Sequence, residues 1–305
     1  MAKEQKVAVD VDGVTLTLSN LDKVLYPDAG FTKGEVIDYY TRIAPVLLPH
    51  IRNRPTTFKR YPEGVDASFF FAKNAPSHTP EWVRTVTLPS PGSTKNRETI
   101  NYPLVTDLPS LVWAANLAAL ELHVPMWRVT DKGKPQNPDL LVFDLDPGPP
   151  ATVVECCQVG LHVRDVLGED GLSAYPKTSG SKGLQLYVPL DGKSPWEDAH
   201  SYARELAQRL ENEHPELVVW NMKKEVRKGK VLVDWSQNNA AKTTISVYSL
   251  RARAQPTVST PVTWDEVEAC ERPGDLVFTS SDVLARVEEH GDLFGGLLKS
   301  GDPLP

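Results

Sequence analysis

The stretch DLLVFDLDPGPP, residues 139–150, has the pattern of a short apolar strand that ends at a proline. Side chains alternate between the two faces of a strand, so Asp144 and Asp146 are predicted to share one face. Their Cα atoms would lie about 7 Å apart, a spacing that lets both carboxylates contact a pair of metal ions. The stretch therefore predicts a buried strand that presents two acids at one end.

Helices and strands are interspersed on both sides of that stretch. Periodicity and turn residues predict a hairpin in VAVDVDGVTLTL (7–18) and a helical turn in SNLDKVLYP (19–27). Helices are predicted in 31–51 (with Thr32 as N-cap), 109–125, 152–171 and 194–215, and strands in 54–60, 68–73, 172–190, 230–238 and 242–252. The last forty or so residues, about 265–305, are predicted to be helical and peripheral. This order predicts an α+β fold with mixed and antiparallel sheets flanked by helices, in one compact unit over residues 1–305.

A third acid stands in KVLVDWSQN (230–238), where Asp234 is predicted to face away from the apolar side chains. Acids at the end of an apolar strand repel one another and are costly to bury unless a cation or solvent is near. One interpretation is a metal site, and the other is a set of exposed acids. DLDPG and the amino-terminal DVDGV also resemble the strand-end DxD of aspartate-nucleophile phosphohydrolases, although the turn of the hairpin already explains the second copy.

The loop TSGSKG (178–183) joins two predicted strands with small residues whose amides can face an anion. Lys182 adds a positive charge to it. The loop does not match GxxxxGK[ST], so a Walker-type ATPase is not supported. Segments of this composition also serve as flexible hairpin ends, and the loop alone does not decide between the two interpretations.

One histidine and three aromatic residues also have two interpretations each. His123, in LELHVPMWR, is either a core histidine that bonds a carbonyl or a contact to a nucleotide phosphate. Phe69, Phe70 and Phe71 are either part of a strand packed on both faces or a platform on which a base stacks.

The composition is that of a folded protein, with 40% hydrophobic and 24% charged residues. The net charge of −7 argues weakly against a protein coated with nucleic acid, but basic residues are concentrated between residues 23 and 60 and in KKEVRKGK (223–230). Such runs are either solvated faces or phosphate-binding surfaces. A cytoplasmic location is expected for three reasons. The start lacks the apolar core of a signal peptide, no apolar run approaches the length of a membrane span, and the three cysteines form no CxxC pair.

Several segments, taken in order, resemble the archaeo-eukaryotic primase superfamily, and most closely the polymerase domain of bacterial DNA ligase D and its stand-alone relatives in non-homologous end joining. The segments are LTLSNLDKVLYP, RPTTFKRYPEG, FFFAKNAP, LELHVPMWR, LVFDLDPG, KTSGSKGLQLYVPL, KVLVDWSQN and SLRARAQPTVSTPVTWDE. The resemblance implies a template-dependent primase-polymerase, a nucleotidyltransferase that adds nucleotides, with ribonucleotides preferred, to a primer 3′-hydroxyl. Its expected place of action is a double-strand break or a short gap with a 5′-phosphate, in DNA repair.

The resemblance also implies roles for individual residues. Two divalent ions, with Mn²⁺ favoured over Mg²⁺, would be held by Asp144, Asp146 and Asp234. The positions that match contacts to the incoming nucleoside triphosphate are Lys59, His123, Ser179, Lys182, Gln237 and Arg251. The positions that match a pocket for the 5′-phosphate of DNA are Asn20, Lys23 and Lys33. Phe70 and Phe71 match an aromatic pair beside the templating base, and Arg227 matches a basic residue near the active site.

The expected partners follow from the same resemblance. The sequence contains neither the ligase nor the phosphoesterase module of the fused enzymes, so a separate DNA ligase is expected to seal the product. Gapped or broken DNA is the expected substrate, Ku is a further candidate partner, and gap filling in excision repair is the alternative pathway. Two other functions remain open from the residues: a non-catalytic module that binds DNA ends, and an aspartate-nucleophile phosphohydrolase.

Overall fold

Six α-helices and seventeen strands form the part of the chain that the computed structural model describes, residues 6–90 and 98–305. The helices are α1 (Lys33–Ile51), α2 (Leu108–Asn116), α3 (Val153–Glu169), α4 (Trp196–Glu213), α5 (Trp264–Glu268) and α6 (Ser280–His290). The first nine strands are β1 (Lys6–Val11), β2 (Val14–Ser19), β3 (Val24–Tyr26), β4 (Phe31–Thr32), β5 (Thr57–Arg60), β6 (Phe70–Ala72), β7 (Thr85–Pro89), β8 (Thr99–Pro103) and β9 (Ala119–Val124). The others are β10 (Trp127–Val129), β11 (Pro135–Pro138), β12 (Leu140–Pro147), β13 (Tyr175–Thr178), β14 (Leu184–Pro189), β15 (Val218–Val219), β16 (Val231–Asp234) and β17 (Thr244–Ile245).

The strand that carries the two acids, β12, is the centre of a five-stranded sheet with the order β13-β14-β12-β16-β15. It pairs antiparallel with β14 and β16, and β15 joins the edge in parallel with β16. Phe143, Leu145 and Leu184 on one face are fully buried in the core that contains α3 and α4. Side chains alternate between the two faces of a strand, so Asp144 and Asp146 lie on the face opposite to these helices.

A second, antiparallel sheet has the order β17-β9-β5-β6. Its covered face packs on α1 and α2, where the rings of Phe58 and Trp113 meet edge to face with centroids 5.9 Å apart. Tyr40 on α1 donates a hydrogen bond from its hydroxyl to the Leu120 carbonyl at 2.7 Å. The two sheets and their helices form the α+β fold with antiparallel and mixed sheets that the sequence predicts.

Two helices that support these sheets begin at threonine caps. Thr32 Oγ1 accepts a hydrogen bond from the backbone N–H of Glu35, and the Glu35 carboxylate accepts one from the N–H of Thr32. Thr152 and Glu155 form the same reciprocal pair at the start of α3. Such boxes satisfy backbone donors that a helix end leaves without partners, so they fix where each helix begins.

Three local predictions are wrong. The helix predicted over 109–125 ends at Asn116, and its second half is the strand β9. The segment 19–27 contains the strand β3, with helical structure only from Pro27, and the strand predicted over 242–252 is regular only at Thr244–Ile245. The helix predicted over 109–125 is interrupted at Ala118, which has a φ of +56°. The strand β9 that follows is buried on both faces, so its sequence lacks the alternation of polar and apolar residues that marks a strand.

The segment from about 265 to 305, predicted to be helical and peripheral, contains α6 and most of α5. Val283, Phe294 and Leu297 from this segment are buried in the same core as α1. None of the helices in the described ranges combines the length and the apolar character needed to cross a bilayer.

Candidate active site

Three carboxylates lie on the face of the five-stranded sheet that is opposite to α3 and α4. Asp144 and Asp146 are two residues apart on β12, and Asp234, the last residue of β16, is the direct cross-strand partner of Asp144. Directly opposed residues of an antiparallel pair project to the same face, with Cβ atoms about 5 Å apart. The sheet register therefore brings together three acids that are up to ninety positions apart in the sequence.

Burial and mutual repulsion govern the ionisation of this cluster. Burial, reinforced by the charge of Asp146, raises the pKa of Asp144 to about 7. Burial and the charge of Asp234 likewise raise the pKa of Asp146, while Arg227 and Arg251 act in the opposite direction. A bound cation would relieve this repulsion, because it stabilises the ionised form of each carboxyl group.

Asp234 is held in place by the turn that it begins. Its Oδ1 accepts hydrogen bonds from the backbone N–H and the hydroxyl of Ser236 at 3.0 and 2.6 Å, and its Oδ2 accepts one from Gln237 Nε2 at 2.8 Å. Among the described residues, no three His, Cys, Asp or Glu side chains lie close enough to form a ready-made metal centre. Carboxylate oxygens are the ligands that Mg²⁺ and Mn²⁺ prefer, and Asp234 Oδ2, which accepts a single hydrogen bond from Gln237, keeps a second lone pair for such an ion. The three acids therefore fit a divalent ion in chemistry, and they would have to draw closer to bind one.

A buried lysine lies close to Asp144. Lys177 Nζ donates hydrogen bonds to Gln185 Oε1 at 2.5 Å, to Ser259 Oγ at 2.6 Å and to the Ile245 carbonyl at 3.2 Å. Gln185 is the cross-strand partner of both Lys177 and Asp144, and its side-chain hydrogen bond to Asp144 acts to lower the pKa of that acid. This chain of contacts holds one side of the acidic cluster.

A row of charged and aromatic side chains crosses the four-stranded sheet. Lys59 on β5 is directly opposite Phe71 on β6 and Glu121 on β9. His123 follows Glu121 by two positions on β9, so both project to the same face. The rings of Phe71 and His123 meet edge to face with centroids 5.9 Å apart. One face of this sheet therefore gathers Lys59 and His123, both predicted to bind nucleotide, beside Phe71.

The centre of this row is Glu121, whose side chain is only 2% exposed. Its Oε2 lies 2.9 Å from His123 Nε2, while its Oε1 lies 3.7 Å from Lys59 Nζ and 3.4 Å from Arg251 Nε. The backbone N–H of Ala252 donates a further hydrogen bond to Oε1 at 3.1 Å. Burial acts to raise the pKa of Glu121, but the hydrogen bond from His123 and the nearby cations outweigh it and lower the pKa to about 2.

The glycine-serine loop, residues 179–183, closes around the hydroxyl of Ser179. Ser179 Oγ accepts hydrogen bonds from the backbone N–H groups of Ser181, Lys182 and Gly183 at 3.2, 3.3 and 3.1 Å. Three amides thus converge on one oxygen, which is the arrangement that binds anions in other loops. The side chain of Lys182 is exposed beside them. In this structure the acceptor of the three amides is the hydroxyl of the loop itself, and anion binding by the loop stays a prediction.

Arg251 connects the loop of one sheet to the face of the other. Its Nη1 donates a hydrogen bond to the Ser179 carbonyl at 2.9 Å, while its Nε faces Glu121. Gly180 has a φ of +68°, and a Cβ at that position would lie 2.7 Å from both Arg251 Cγ and the Val258 carbonyl. Only glycine therefore allows the loop to approach Arg251 so closely.

The three phenylalanines at the start of β6 are all solvent-facing, with Phe69, Phe70 and Phe71 49%, 46% and 52% exposed. The interpretation as a strand packed on both faces is therefore wrong. Lys59 Nζ lies 4.3 Å from the ring centre of Phe69, and the Arg60 guanidinium lies 5.1 Å from that of Phe70. Exposed rings beside cations offer a surface on which a base can stack while phosphates are held nearby.

A second polar cluster contains Asn20, Lys23 and Lys33, at the start of α1. The backbone N–H of Lys23 donates to the Asn20 carbonyl at 3.1 Å, and that of Lys33 donates to the Lys23 carbonyl at 2.8 Å. Lys33 Nζ donates to the Ser19 carbonyl at 2.6 Å, and Lys23 Nζ pairs with the Glu63 carboxylate at 2.7 Å. The structure thus brings these three residues together, and each of the two ammonium groups contacts an oxygen of the protein.

Three residues of the site are absent from the sequence predictions: Glu121, Lys177 and Gln185. Glu121 was missed because 109–125 is predicted to be a helix, in which residues two positions apart face different sides. Treated as a strand, the letters ELH place Glu121 and His123 on one face, and that pattern would identify the pair. Lys177 and Gln185 carry no such signal, because their contact depends on the register of β13 against β14.

Fold and site together define an α+β chain of the archaeo-eukaryotic primase superfamily, with an acidic cluster on one sheet and a cationic, aromatic face on another. More narrowly, the chain belongs to the family described as "LigD, primase-polymerase domain", whose model matches residues 32–294. The family that the ordered segments suggest is therefore confirmed.

Similar proteins and a similar solved structure agree with this membership. The chain is 47% identical over 280 residues to the multifunctional non-homologous end joining protein LigD of Mycolicibacterium smegmatis, covering 92% of this chain and 36% of that protein. It is 31% identical over 277 residues to the bifunctional LigD of Bacillus subtilis, covering 90% of this chain and 43% of the relative. The chain thus spans less than half the length of these curated relatives. The polymerase domain of Mycobacterium tuberculosis ligase D, solved in complex with DNA, superposes with a TM-score of 0.87 at 43% identity, covering 94% of this chain and 99% of that one.

Proposed function

We propose that this protein is a template-dependent nucleotidyltransferase, a primase-polymerase that adds nucleotides to a primer 3′-hydroxyl at DNA breaks or short gaps during repair. The observation that carries the proposal is that three carboxylates on one sheet lie near the basic side chains of the other sheet, Lys59 and His123. Arg251 joins the two sheets. Nucleotide addition needs both parts: oxygen ligands for divalent ions, and cations for a triphosphate. The family membership of the chain supports the same reaction.

Asp144, Asp146 and Asp234 are the residues that would hold two divalent ions, Mn²⁺ or Mg²⁺. Such ions, when bound, lower the pKa of an attacking hydroxyl and neutralise a triphosphate and its departing pyrophosphate. The contribution of the protein is to hold the three acids in one register between neighbouring strands. The turn that restrains Asp234 through Ser236 and Gln237 sets the direction of the third carboxylate.

The incoming nucleoside triphosphate would bind between the two sheets. Lys59, His123 and Arg251 would contact its phosphates from one side, and the loop residues Ser179 and Lys182 from the other. Arg227 and Gln237 would complete the contacts near the acids, since the first lies within electrostatic reach of Asp146 and the second bonds Asp234. Preorganised donors of this kind stabilise charge that develops during phosphoryl transfer.

DNA would be held at two further places. Phe70 and Phe71 would stack beside the templating base, a contact worth about 1–3 kcal/mol per stacked base. Asn20, Lys23 and Lys33 would bind the 5′-phosphate at the far side of a gap, with phosphate oxygens taking over from Ser19 and Glu63 as partners of the lysines. Recognition of both ends would set the length of gap that is filled.

Ribonucleotides would be preferred over deoxynucleotides, a separate DNA ligase would seal the product, and Ku is a candidate partner at broken ends. The relatives with this domain are bacterial end-joining proteins, which supports action on DNA in the cytoplasm of a bacterium.

The test is extension of a labelled primer on a gapped duplex with Mn²⁺, with and without the downstream 5′-phosphate, comparing ribo- and deoxynucleotides. Wild-type protein is expected to add template-directed nucleotides, and Asp146→Asn to reduce the rate by more than about 100-fold because a metal ligand is lost, while DNA binding persists. The exposed Asp66→Asn is the control. Binding without any incorporation would instead support an end-binding module, and phosphate release from a simple ester without DNA would support a phosphohydrolase.

A further inference from the structure

The Glu121 carboxylate lies among three basic side chains, those of Lys59, His123 and Arg251, and all three contact it. Lys59 approaches from β5, His123 from the same strand and Arg251 from the loop after β17, at 3.7, 2.9 and 3.4 Å. Lys59 and His123 lie on paired strands of one sheet, whereas Arg251 comes from a separate segment, so the backbone of the sheet does not fix the position of Arg251 relative to the other two. Their common contact is the Glu121 carboxylate.

The burial of Glu121 makes this contact a rigid one. The side chain is 2% exposed, and the backbone N–H of Ala252 donates to Oε1, so the carboxylate has a fixed anchor. Buried carboxylates without partners are strongly disfavoured, and the pKa of this one is lowered to about 2 by its hydrogen bond from His123 and by the neighbouring cations despite its burial. Glu121 is therefore ionised at neutral pH and exerts full charge on its neighbours.

The same contact fixes the hydrogen on His123. An ionised carboxylate can only accept, so His123 Nε2, 2.9 Å from Glu121 Oε2, carries a hydrogen. The other ring nitrogen, Nδ1, is then the one through which His123 can meet a phosphate, and it donates there only in the imidazolium form. Burial lowers the pKa of His123, whereas the negative charge of Glu121 acts to raise it and so favours the imidazolium form when a phosphate arrives.

We propose that Glu121 is a positioning residue that holds Lys59, His123 and Arg251 as one array against the phosphates of the incoming nucleotide. This inference rests on the proposed function of the site and deepens it. Glu121 itself does not contact the nucleotide. It acts by fixing the three side chains that do, in the manner of a carboxylate that orients metal-bound or catalytic histidines.

A different role for Glu121 would change nucleotide binding in the opposite direction. If the carboxylate only offset excess positive charge, its removal would leave Lys59 and Arg251 facing the triphosphate without a counter-charge, and binding would tighten. If it positions them, its removal lets Lys59 and Arg251 spread apart, and binding weakens although the local charge becomes more positive. The sign of the change therefore separates the two roles.

The experiment compares wild-type protein with Glu121→Gln, Glu121→Asp and the control Glu266→Gln. Glu266 is a partly buried carboxylate that pairs with Arg286 at 2.7 Å on α5 and lies outside the nucleotide site. Binding of the template-complementary nucleoside triphosphate with Mn²⁺ is measured by calorimetry on a gapped duplex whose primer lacks the 3′-hydroxyl. KM and kcat are measured separately on the extendable duplex, and thermal melting reports folding.

We expect Glu121→Gln to raise both the nucleotide Kd and the KM by about tenfold or more, with kcat changed less, because ground-state contacts to phosphate are lost. Glu121→Asp, which keeps the charge on a shorter stem, is expected to recover part of this loss, and Glu266→Gln to lose thermal stability without a change in KM. Unchanged or tighter binding by a folded Glu121→Gln overturns the inference. If that variant does not fold, a KM for Glu121→Asp equal to wild type has the same meaning.

Failure of the proposed function gives a different result. Wild-type protein that binds the nucleotide but does not extend the primer overturns the polymerase assignment, and the calorimetry still decides the role of Glu121. Wild-type protein that neither binds nor extends overturns both.

Discussion

At the scale of single residues, Arg54 is a charged side chain that is almost completely buried, with only 1% exposed. Its Nη1 and Nη2 each donate to a different oxygen of Asp139 at 2.7 Å, and its Nε donates to the His50 carbonyl at 2.9 Å. Arg128 adds a third contact to Asp139 at 2.8 Å. A guanidinium taken out of water is tolerated only with such complete pairing. This network joins the end of α1 to the residue before β12, and so supports the strand that carries the acids.

Asp139→Ala tests that network. The substitution leaves Arg54 buried without its carboxylate, so we expect the free energy of unfolding to fall by about 3–5 kcal/mol. Chemical denaturation measures the loss. The double variant Arg54→Met, Asp139→Leu removes both charges at once and is expected to be more stable than Asp139→Ala. A loss under about 1 kcal/mol for Asp139→Ala would show that Arg54 finds water or another partner instead.

Lys23 permits a second test at this scale. Its ammonium group contacts Glu63 at 2.7 Å and is partly exposed, so it can exchange that partner for a phosphate. We expect Lys23→Ala to reduce the stimulation of primer extension by a downstream 5′-phosphate by roughly tenfold, the size of one charge-assisted contact, while extension without that phosphate stays the same. Arg42→Ala, at an exposed cation on α1, is the control. Equal stimulation in Lys23→Ala and wild type would remove Lys23 from the pocket.

At the scale of elements, the loop 179–183 shows how a backbone conformation supports a site. Gly180 and Gly192 have nearly the same positive φ, +68° and +71°, but a Cβ at Gly180 would meet Arg251 and Val258 at 2.7 Å, whereas one at Gly192 meets nothing within 4 Å. The two glycines thus separate the cost of backbone strain from the cost of displacing Arg251.

Gly192→Ala is expected to lose about 1 kcal/mol of stability because alanine is strained at positive φ, and Gly180→Ala is expected to lose more because its Cβ would also meet the Val258 backbone at 2.7 Å. Gly180→Ala is expected in addition to lower kcat/KM for nucleotide addition by tenfold or more, since Arg251 and the loop must move apart. Steady-state extension kinetics and denaturation curves measure the two effects. If both variants lose activity to the same extent, strain alone explains the result and the contact with Arg251 does not matter.

Elements with a strong local signal were predicted correctly, and those without one were not. The capping box at Thr32 and the alternation in residues 139–147 are encoded within a few residues, so α1 and β12 follow from the sequence. The strand β9 does not, because its residues are buried on both faces and its composition, rich in Leu and Ala, also suits a helix. The role of Glu121 was lost with it, since that role depends on the strand geometry.

At the scale of the whole molecule, the site exists because two sheets are brought together by residues distant in the chain. The three acids were predictable from strand alternation and family resemblance, but their cross-strand register is a property of the assembled sheet. The contacts of Arg251 could not be predicted from the sequence. Arg251 contacts Glu121 near one sheet and Ser179 near the other, and no local sequence pattern indicates either contact. What the sequence cannot encode locally is the placement of one sheet against the other.

Asp292, in the carboxyl-terminal segment, joins the end of α1 to the segment that follows β17. Asp292 Oδ2 lies 2.8 Å from His50 Nε2 at the end of α1, and its Oδ1 accepts a hydrogen bond from the Tyr248 hydroxyl at 2.7 Å. Burial acts to raise the pKa of Asp292, but these partners outweigh it and hold the pKa below its usual value of 3.8. A carboxyl group whose pKa is lower in the folded state stabilises the fold above its unfolded pKa, and that contribution is lost as the pH falls through the folded value.

We therefore expect Asp292→Asn to be less stable than wild type at pH 6, and the difference to shrink as the pH is lowered from about 4 towards 2, where wild type also loses the charge. Denaturation at a series of pH values measures the difference, and Asp66→Asn, at an exposed acid, is expected to stay within about 0.5 kcal/mol of wild type throughout. A constant gap between Asp292→Asn and wild type down to pH 2 would mean that the hydrogen bonds of Asp292 act without its charge. In that case neutral hydrogen bonds of Asp292, together with the packing of Phe294 and Leu297, would hold the carboxyl-terminal segment to α1.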